Sequence, residues 1–189
     1  MIRKLITIPE AALRLKSKRI GQVDDAIQQL AEDMIETTLD WDHDSEFGAA
    51  LAAIQVGEPV KLTVVRNNFD DAADQSFLTF VNPEIVQRSS ERVIDIEGCL
   101  SVPGYYARIS RAKRIKVKAE TLDGQPIRLT LEGFPARVFQ HEVDHMHGKL
   151  FIDMIKSYKD VLELDNDSKL KPVKKMPDII EKSRDDHHH

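Results

Sequence analysis

The segment that most constrains the fold is residues 134–148, FPARVFQHEVDHMHG, which has the composition of a helix with clear ends. Pro135 suits the first position of a helix, where its missing N–H costs nothing. Gly148 is a typical residue just after the last turn. The segment therefore predicts one helix, and the spacing of its polar residues determines what that helix presents to the rest of the chain.

Three of those polar residues form the pattern His-Glu-x-x-His. His141 and His145 lie four residues apart, so both imidazoles project from one face of the helix. Glu142 lies about a quarter turn around from His141. Two neutral nitrogen ligands beside a carboxylate that can act on water are typical of a hydrolytic metal site. A helix whose histidines only pack or face solvent is the alternative interpretation.

The rest of the composition is that of one ordinary globular domain. With 189 residues, 41% hydrophobic and 31% charged, the chain is long enough to bury a sizeable core. The first residues do not combine a basic start with an apolar run, and no apolar run is long enough for a membrane span, so we expect a cytoplasmic protein. A net charge of −5 argues against nucleic acid as the main partner.

The only cysteine, Cys99, is free to act as a ligand or a nucleophile, because a single cysteine forms no intramolecular disulfide. A catalytic zinc-like centre normally takes three protein ligands, and the two histidines leave one missing. Downstream, Asp153 is too close along the chain, and Glu163 and Asp165 lie in polar surroundings. Upstream, a Cys99 thiolate would be a strong ligand for zinc, iron or nickel. A buried core thiol is equally consistent with the residues alone.

The other histidines are predicted to lie outside this site. His43 belongs to a polar loop over residues 41–47 and is expected to face solvent. His147, two residues after His145, points away from the ligand face of the helix. The terminal run His187–His189, a native tail or the remnant of a purification tag, is left out of the site.

Hydrophobic periodicity predicts an α+β domain in which antiparallel β-sheets pack around a central metal-binding His-Glu-x-x-His helix, with an N-terminal helix. The N-terminal helix is predicted over residues 22–39, and residues 150–155 form a small strand or turn. Strands are predicted over residues 61–66, 77–83, 91–99, 109–120 and 125–131. The sequence Asp123-Gly124 predicts a hairpin turn between the last two strands.

The predicted domain organisation is a single catalytic domain over residues 1–155 and a charged C-terminal extension over residues 156–189. The extension is expected to be partly helical or disordered, with a short helix near residues 158–164, because Pro172 and Pro177 interrupt any longer one.

Three stretches together resemble the peptide deformylase family, whose motifs are Gly-x-Gly-x-Ala-Ala-x-Gln, Glu-Gly-Cys-Leu-Ser and Gln-His-Glu-x-Asp-His. This chain has GAALAAIQ over residues 48–55, EGCLS over 97–101 and QHEVDH over 140–145, in the family's order. The likeness extends from near the N-terminus to about residue 155. The chain departs from the pattern at Ala50, which replaces a glycine, and at Met146, which replaces a leucine.

The resemblance implies a metal-dependent hydrolase that removes the formyl group from the formyl-methionine of nascent peptides. By resemblance, one divalent metal is held by Cys99, His141 and His145, and it is typically Fe(II), with Zn, Ni or Co as substitutes. Glu142 acts as the catalytic base that activates a water molecule. The side-chain amide of Gln55 and the backbone N–H of Leu100 stabilise the negative charge that develops on the formyl oxygen.

Substrate contacts are expected from a further set of residues, namely Gly48, Ala49, Ala50, Glu97 and Gly98. Val138 is a candidate for the methionine pocket. The implied partners are N-formyl-methionyl nascent peptides. Transient ribosome contact through the lysines of the extension is an alternative to a simply solvated charge run. Two rival functions remain open at this point: another His-Glu-x-x-His peptidase with a downstream ligand, and a binding protein with a structural metal.

Overall fold

The structure, a computed structural model, describes residues 1–41 and 48–185. His43 and His187–His189, for which the sequence predicts no role in the site, lie outside the described residues. The helices are α1 (Asp25–Asp40), α2 (Phe134–Met146) and α3 (Asp178–Asp185). The strands are β1 (Ala50–Ala52), β2 (Leu62–Arg66), β3 (Phe77–Arg88), β4 (Arg92–Gly98), β5 (Tyr105–Ala112), β6 (Arg114–Glu120), β7 (Pro126–Glu132), β8 (Val161–Leu164) and β9 (Leu170–Pro172). None of the helices in the described part of the chain is both long enough and apolar enough to span a bilayer.

The strands form two antiparallel sheets, with the orders β1-β2-β3-β6-β7 and β4-β5-β8-β9. The predicted α+β class is therefore confirmed. The prediction of one strand over residues 109–120 is wrong, because β5 ends at Ala112 in one sheet and β6 begins at Arg114 in the other. The side chain of Gln140 explains the break. It accepts from the N–H of Ala112 at 3.1 Å and donates to the carbonyl of Ala112 at 2.9 Å, so this backbone bonds to α2.

Helix α1 begins later than the predicted residue 22 because a side chain caps it. Asp24 is the N-cap, and its carboxylate accepts from the N–H of Ile27 at 2.9 Å. Asp25 follows in the first turn, where the partial positive charge of the helix N-terminus favours an acidic side chain. Met34 on the inner face is fully buried against β1 and β2, so α1 covers one side of the first sheet.

Helix α2 begins one residue before Pro135, ends before Gly148 as predicted, and contacts strands of both sheets. It starts at Phe134, with Pro135 in the first turn, and contacts β1, β3 and β7 of the first sheet and β5 of the second. Phe139 on its inner face packs edge-on against Phe80 of β3, with ring centroids 5.3 Å apart. The helix is thus fixed from both sides, which determines where its polar residues point.

At its C-terminal end α2 is terminated by Gly148, as predicted. The residue has a left-handed backbone with φ of 70°. Its N–H donates to the carbonyl of His145 at 3.1 Å, and the N–H of Lys149 donates to that of Asp144 at 3.0 Å. The backbone of Arg14 lies directly against Gly148, where a side chain would have to be.

The residues after position 155 add strands and a helix to the molecule. The predicted helix near residues 158–164 is wrong beyond its first turn: a 3-10 turn over Tyr158–Asp160 leads into β8. Strand β8 pairs with β5, and Val161 is fully buried. Ile180 of α3 is also fully buried and packs in a cluster with Phe151. The division into a domain and an extension at residue 155 stays a prediction.

Residues 150–155, for which the sequence predicts a strand or a turn, contain a 3-10 helix over Phe151–Met154. Asp153 in this helix holds the guanidinium of Arg14 with two bonds, at 2.7 and 2.8 Å. Arg14 also donates to the carbonyl of Ser183 in α3 at 2.5 Å. The segment therefore joins the beginning of the described chain to α3 beside the end of α2.

Replacing Gly148 with alanine should lower the free energy of unfolding by about 3 kcal/mol. The left-handed backbone costs a residue with a Cβ about 1 kcal/mol, and overlap with the backbone of Arg14 adds about 2 kcal/mol. Gly124→Ala is the matched control, because Gly124 has φ of 78° but nothing within 4 Å of an added Cβ. It should lose only about 1 kcal/mol in the same urea titration. Equal losses in the two variants would show that close packing at Gly148 is unimportant.

Candidate metal centre and active site

Three side chains with metal-binding atoms converge where the end of β4 meets α2. Sγ of Cys99 lies 3.4 Å from Nε2 of His145, and that nitrogen lies 3.1 Å from Nε2 of His141. The three donor atoms all lie within 4.8 Å of one another. This set, here called the ligand cluster, contains the upstream cysteine, and Glu163 and Asp165 do not belong to it.

Local structure explains how these three residues meet. His141 and His145 are one helical turn apart on the buried side of α2. Cys99 follows the last residue of β4 in a tight turn, which the N–H of Val102 closes by donating to the carbonyl of Cys99 at 2.9 Å. Gly98 lies directly under the ring of Tyr106, where an added Cβ would overlap the ring. The glycine in the Glu-Gly-Cys motif thus leaves room for the ring of Tyr106 at the end of β4.

The ligand cluster fits a divalent metal in its chemistry as well as in its convergence. Nδ1 of His141 lies 2.6 Å from Oε1 of Glu97, and such a carboxylate partner orients an imidazole so that its other nitrogen faces a metal. Burial and the adjacent His141 lower the pKa of His145 well below its usual value. Burial acts in the same direction on His141, but Cys99 and Glu97 outweigh it and raise that pKa. One thiol and two imidazoles suit zinc, iron, nickel or cobalt.

Glu97 is the centre of a buried set of charges that fixes His141. Besides His141, its carboxylate accepts from Nε of Arg111 at 3.1 Å and from Nη1 of Arg137 at 3.0 Å. Arg111 also contacts Asp144 at 2.5 Å. Burial favours the neutral acid, but the bonds and charges of His141 and Arg111 hold the pKa of Glu97 well below its usual range. We call these five residues the carboxylate network.

The two arginines of the carboxylate network, Arg111 and Arg137, are not among the site residues predicted from the sequence. Arg137 lies four residues before His141, and this spacing indicates that the two side chains share one face of the helix. Arg111 follows Ala107 and Ile109 at two-residue intervals in β5, and both of those residues are almost completely buried. Because residues two apart in a strand face the same side, strand periodicity places Arg111 on the buried face as well. A buried arginine requires a carboxylate partner, and here both arginines share Glu97.

Glu142 lies next to the ligand cluster and is 4% exposed. Burial in this apolar setting raises its pKa to about 7. Its Oε2 lies 3.4 Å from the hydroxyl of Thr63, which in turn lies 2.9 Å from the carbonyl of Leu51 and donates to it. A carboxyl group that titrates near neutrality can both accept and return a proton, which is what general acid–base catalysis requires.

Gln55 is held against the ligand cluster by both ends of its amide. Its Oε1 accepts from the N–H of Ala52 at 2.9 Å. Its Nε2 donates to the hydroxyl of Ser101 at 3.0 Å and lies 3.5 Å from Sγ of Cys99. The side chain therefore satisfies its own loop and also aims a donor at the cluster.

A cavity of about 280 Å³ opens beside these groups. Of the predicted site residues, it is lined by Ala49, Ala50, Gln55, Glu97, Gly98, Cys99, Leu100, Val138, His141 and Glu142. Gly48 instead packs against α1, where an added Cβ would lie 2.6 Å from Cγ2 of Thr38. His147 is exposed, as predicted.

The described non-glycine residues with positive φ are Asn82 and Ser168, so Ala50 in place of the family's glycine carries no left-handed strain. All four hydrogen bonds described for the Glu97 carboxylate go to the carboxylate network. Because the carboxylate of Glu97 is engaged in these bonds, we assign any substrate contact at this residue to its main chain.

Comparison with known proteins gives one consistent result. The sequence model of the polypeptide deformylase family matches residues 2–161. A peptide deformylase of Bartonella tribocorum is 41% identical over 160 residues, which cover 84% of this chain and 86% of that protein.

Solved structures agree with the sequence match. A peptide deformylase from Legionella pneumophila is 38% identical, with a TM-score of 0.74 over 82% of this chain and 87% of that one. A peptide deformylase from Acinetobacter baumannii, solved with Met-Ala-Ser bound, is 34% identical with a TM-score of 0.73, over 82% and 99%. With the family match over most of its length, the chain belongs to the polypeptide deformylase family.

Proposed function

We propose that this chain removes the formyl group from the N-terminal formyl-methionine of nascent peptides and releases formate. The observation that carries the proposal is the buried carboxylate of Glu142, which lines the same cavity as Cys99 and His141 of the ligand cluster. Membership of the polypeptide deformylase family supports the same reaction. A hydrolase of this kind needs a group to move protons and donors to hold charge, and the chain offers both.

We assign the metal to Cys99, His141 and His145. When bound there, a divalent cation supplies Lewis acidity, which polarises the formyl carbonyl and makes water more acidic. We propose Fe(II) as the ion in the cell and Zn, Ni or Co as substitutes, since mixed thiolate and imidazole donors suit all four. The carboxylate network keeps His141 oriented while its other nitrogen serves as a ligand.

In the proposed mechanism Glu142 moves the proton. It accepts a proton from the attacking water and later delivers it to the amine of the leaving peptide. Burial supports this double role, because it places the pKa of the carboxyl group at about 7, between that of an ordinary acid and that of an amine. The hydroxyl of Thr63, whose hydrogen goes to the carbonyl of Leu51, lies 3.4 Å from Oε2 and can accept from the carboxyl group when Glu142 is protonated.

Gln55 and Leu100 are the proposed donors to the formyl oxygen. The amide nitrogen of Gln55 is already oriented by Ser101 and Ala52 before substrate arrives, so little reorganisation accompanies the reaction. Leu100 follows Cys99 directly and lines the cavity, and we assign the second donor role to its backbone N–H. Together they would stabilise the negative charge that forms as water attacks.

The peptide itself is proposed to bind in extended form along two strand edges. Strand β1 lies at one edge of the first sheet, and β4 lies at one edge of the second. The cavity-lining residues at these edges are Ala49, Ala50, Glu97 and Gly98, whose main-chain groups can pair with an added strand, whereas Gly48 lies against α1. Val138 on α2 lines the cavity and is the proposed contact for the methionine side chain.

A cytoplasmic location and a transient ribosome contact remain predictions. The lysines after residue 168 are partly neutralised, since Lys171 pairs with Asp165 at 2.5 Å and Lys175 lies 3.7 Å from Asp178. Surface pairs of this kind contribute little stability, so these lysines remain able to exchange partners.

The direct test of the proposed function is formate release from formyl-Met-Ala-Ser. Protein purified without oxygen and loaded separately with iron, nickel or zinc should release formate in amounts equal to the free amine produced. Metal analysis of the same samples should give one equivalent per chain. Absence of turnover with all three metals would refute the proposal.

Replacing Gln55 with alanine should lower kcat/KM by about a hundredfold, the usual effect of losing one donor to an oxyanion. Ser101→Ala is the matched control, because it removes only the hydroxyl that orients the amide. The kcat/KM of Ser101→Ala should fall by less than about tenfold. A loss below threefold for Gln55→Ala, measured as formate release, would contradict the assigned role.

A further inference from the structure

We infer that Leu170 is a specificity-determining residue of the site, and that it favours substrates with an apolar side chain in the residues after the formyl-methionine. That the ligand is a peptide follows from the proposed function. That Leu170 contacts it follows from the position of β9, in a part of the chain that the family match does not reach.

Leu170 lines the same cavity as Cys99, Gln55 and Glu142. The family match ends at residue 161, and the Legionella pneumophila structure covers 82% of this chain. The three sequence motifs all lie before residue 146. Neither the motifs nor the matched range of the family therefore includes Leu170.

A continuous hydrogen-bonded ladder holds Leu170 in place. Leu170 in β9 pairs with Leu164 in β8, and β8 pairs with β5 through Leu162 and Tyr106. Tyr106 pairs in turn with Gly98, the last residue of β4 and the neighbour of Cys99. The strand that carries Leu170 is thus joined, through two others, to the strand that positions a ligand-cluster residue.

Three side chains of this sheet form what we call the apolar wall of the cavity: Ile96, Tyr106 and Leu170. The pairing of Tyr106 with Gly98 and with Leu162 places them on one face of the sheet, because paired residues and residues two apart share a face. Ile96 and Leu170 are 38% and 36% exposed. Covering this exposed apolar surface with a ligand lowers the free energy of the complex.

The substrate is the occupant that the position of the wall favours. The wall is continuous with the part of the cavity that holds Glu142, so a peptide bound with its formyl group there must continue away from it. The side chains that follow the methionine are then the ones able to reach Leu170. Since Leu170 can cover only part of such a side chain, the expected gain is about fivefold in kcat/KM.

The test compares formyl-Met-Ala-Ser with formyl-Met-Leu-Ser and formyl-Met-Ala-Leu. The unchanged protein should favour at least one of the leucine peptides about fivefold over the alanine-serine peptide. Leu170→Ser should remove that preference, chiefly through KM, while Leu170→Ile should keep it. Lys169→Ala, a change of the exposed residue just before Leu170, is the control and should keep it as well. Thermal unfolding of each variant checks that the hairpin remains folded.

Affinities of the unformylated peptides Met-Ala-Ser, Met-Leu-Ser and Met-Ala-Leu for the same proteins separate this inference from the proposed function. A leucine preference in binding that Leu170→Ser abolishes supports the inference even if no peptide is deformylated. Turnover with the same preference in the unchanged protein and in Leu170→Ser overturns it. Equal use of all three peptides by the unchanged protein also overturns it, as does failure to bind any of them.

Discussion

Replacing Glu142 with glutamine should lower the rate of formate release by roughly a thousandfold while the metal stays bound. Glutamine has the size of glutamate and can still contact the hydroxyl of Thr63, so the shape of the cavity is retained. It cannot accept a proton from water at neutral pH, and the proposed mechanism has no other group beside the cluster for that step. The loss should appear in kcat, because substrate binding does not depend on this carboxylate.

The measurement pairs steady-state formate release with metal analysis of the same preparation. His147→Gln is a suitable control just after the same helix, since His147 is exposed and lies outside the ligand cluster. It should keep full activity and full metal content. If Glu142→Gln retained more than about a tenth of the activity, Glu142 would not be the base.

Replacing Cys99 with alanine should abolish both metal binding and activity. Two imidazoles alone hold a divalent ion far more weakly than two imidazoles and a thiolate, because the lost ligand carries the charge that balances the cation. After dialysis the variant should contain less than about a tenth of an equivalent of metal. Its formate release should fall at least about a thousandfold.

This variant also distinguishes the deformylase from the rival interpretation of the His-Glu-x-x-His pattern. A peptidase with a downstream third ligand would keep its metal and its activity without Cys99. Cys99 is only partly buried, so a shift of the whole fold is not expected, and the thermal unfolding of metal-free samples should be similar in the two proteins. Full metal content together with full activity would rule out the assigned ligand set.

The sequence predicted α2 and its ends because local chemistry determines them. Pro135 favours the start of the helix and Gly148 favours its end, each through its own backbone preference. The position of the two histidines on one face follows from helix geometry. The break between β5 and β6 was not predictable in this way. It depends on Gln140, a residue distant in sequence, which bonds to the backbone of Ala112.

The site shows the same division between local and distant causes. Periodicity alone placed His141 and His145 together, whereas the residues by themselves left Cys99 undecided between ligand and core thiol. Its 3.4 Å approach to His145 depends on how the turn after β4 lies beside α2, which no local pattern encodes. The hairpin of β8 and β9 was missed because its charged and proline-containing sequence resembles a solvated tail.

The carboxylate network has a consequence for how the molecule opens. Arg137 of α2 donates to main-chain carbonyls in both β4 and β5, at Val93 and Ile109, while its other bond goes to Glu97. These three elements can separate only if several buried hydrogen bonds break at once, so the amides of α2 and of the inner strand β5 should be among the slowest to exchange with deuterium. Strand β9 lies at the outer edge of its sheet and should exchange sooner. Chemistry and selectivity would then reside in parts of the protein that fluctuate independently.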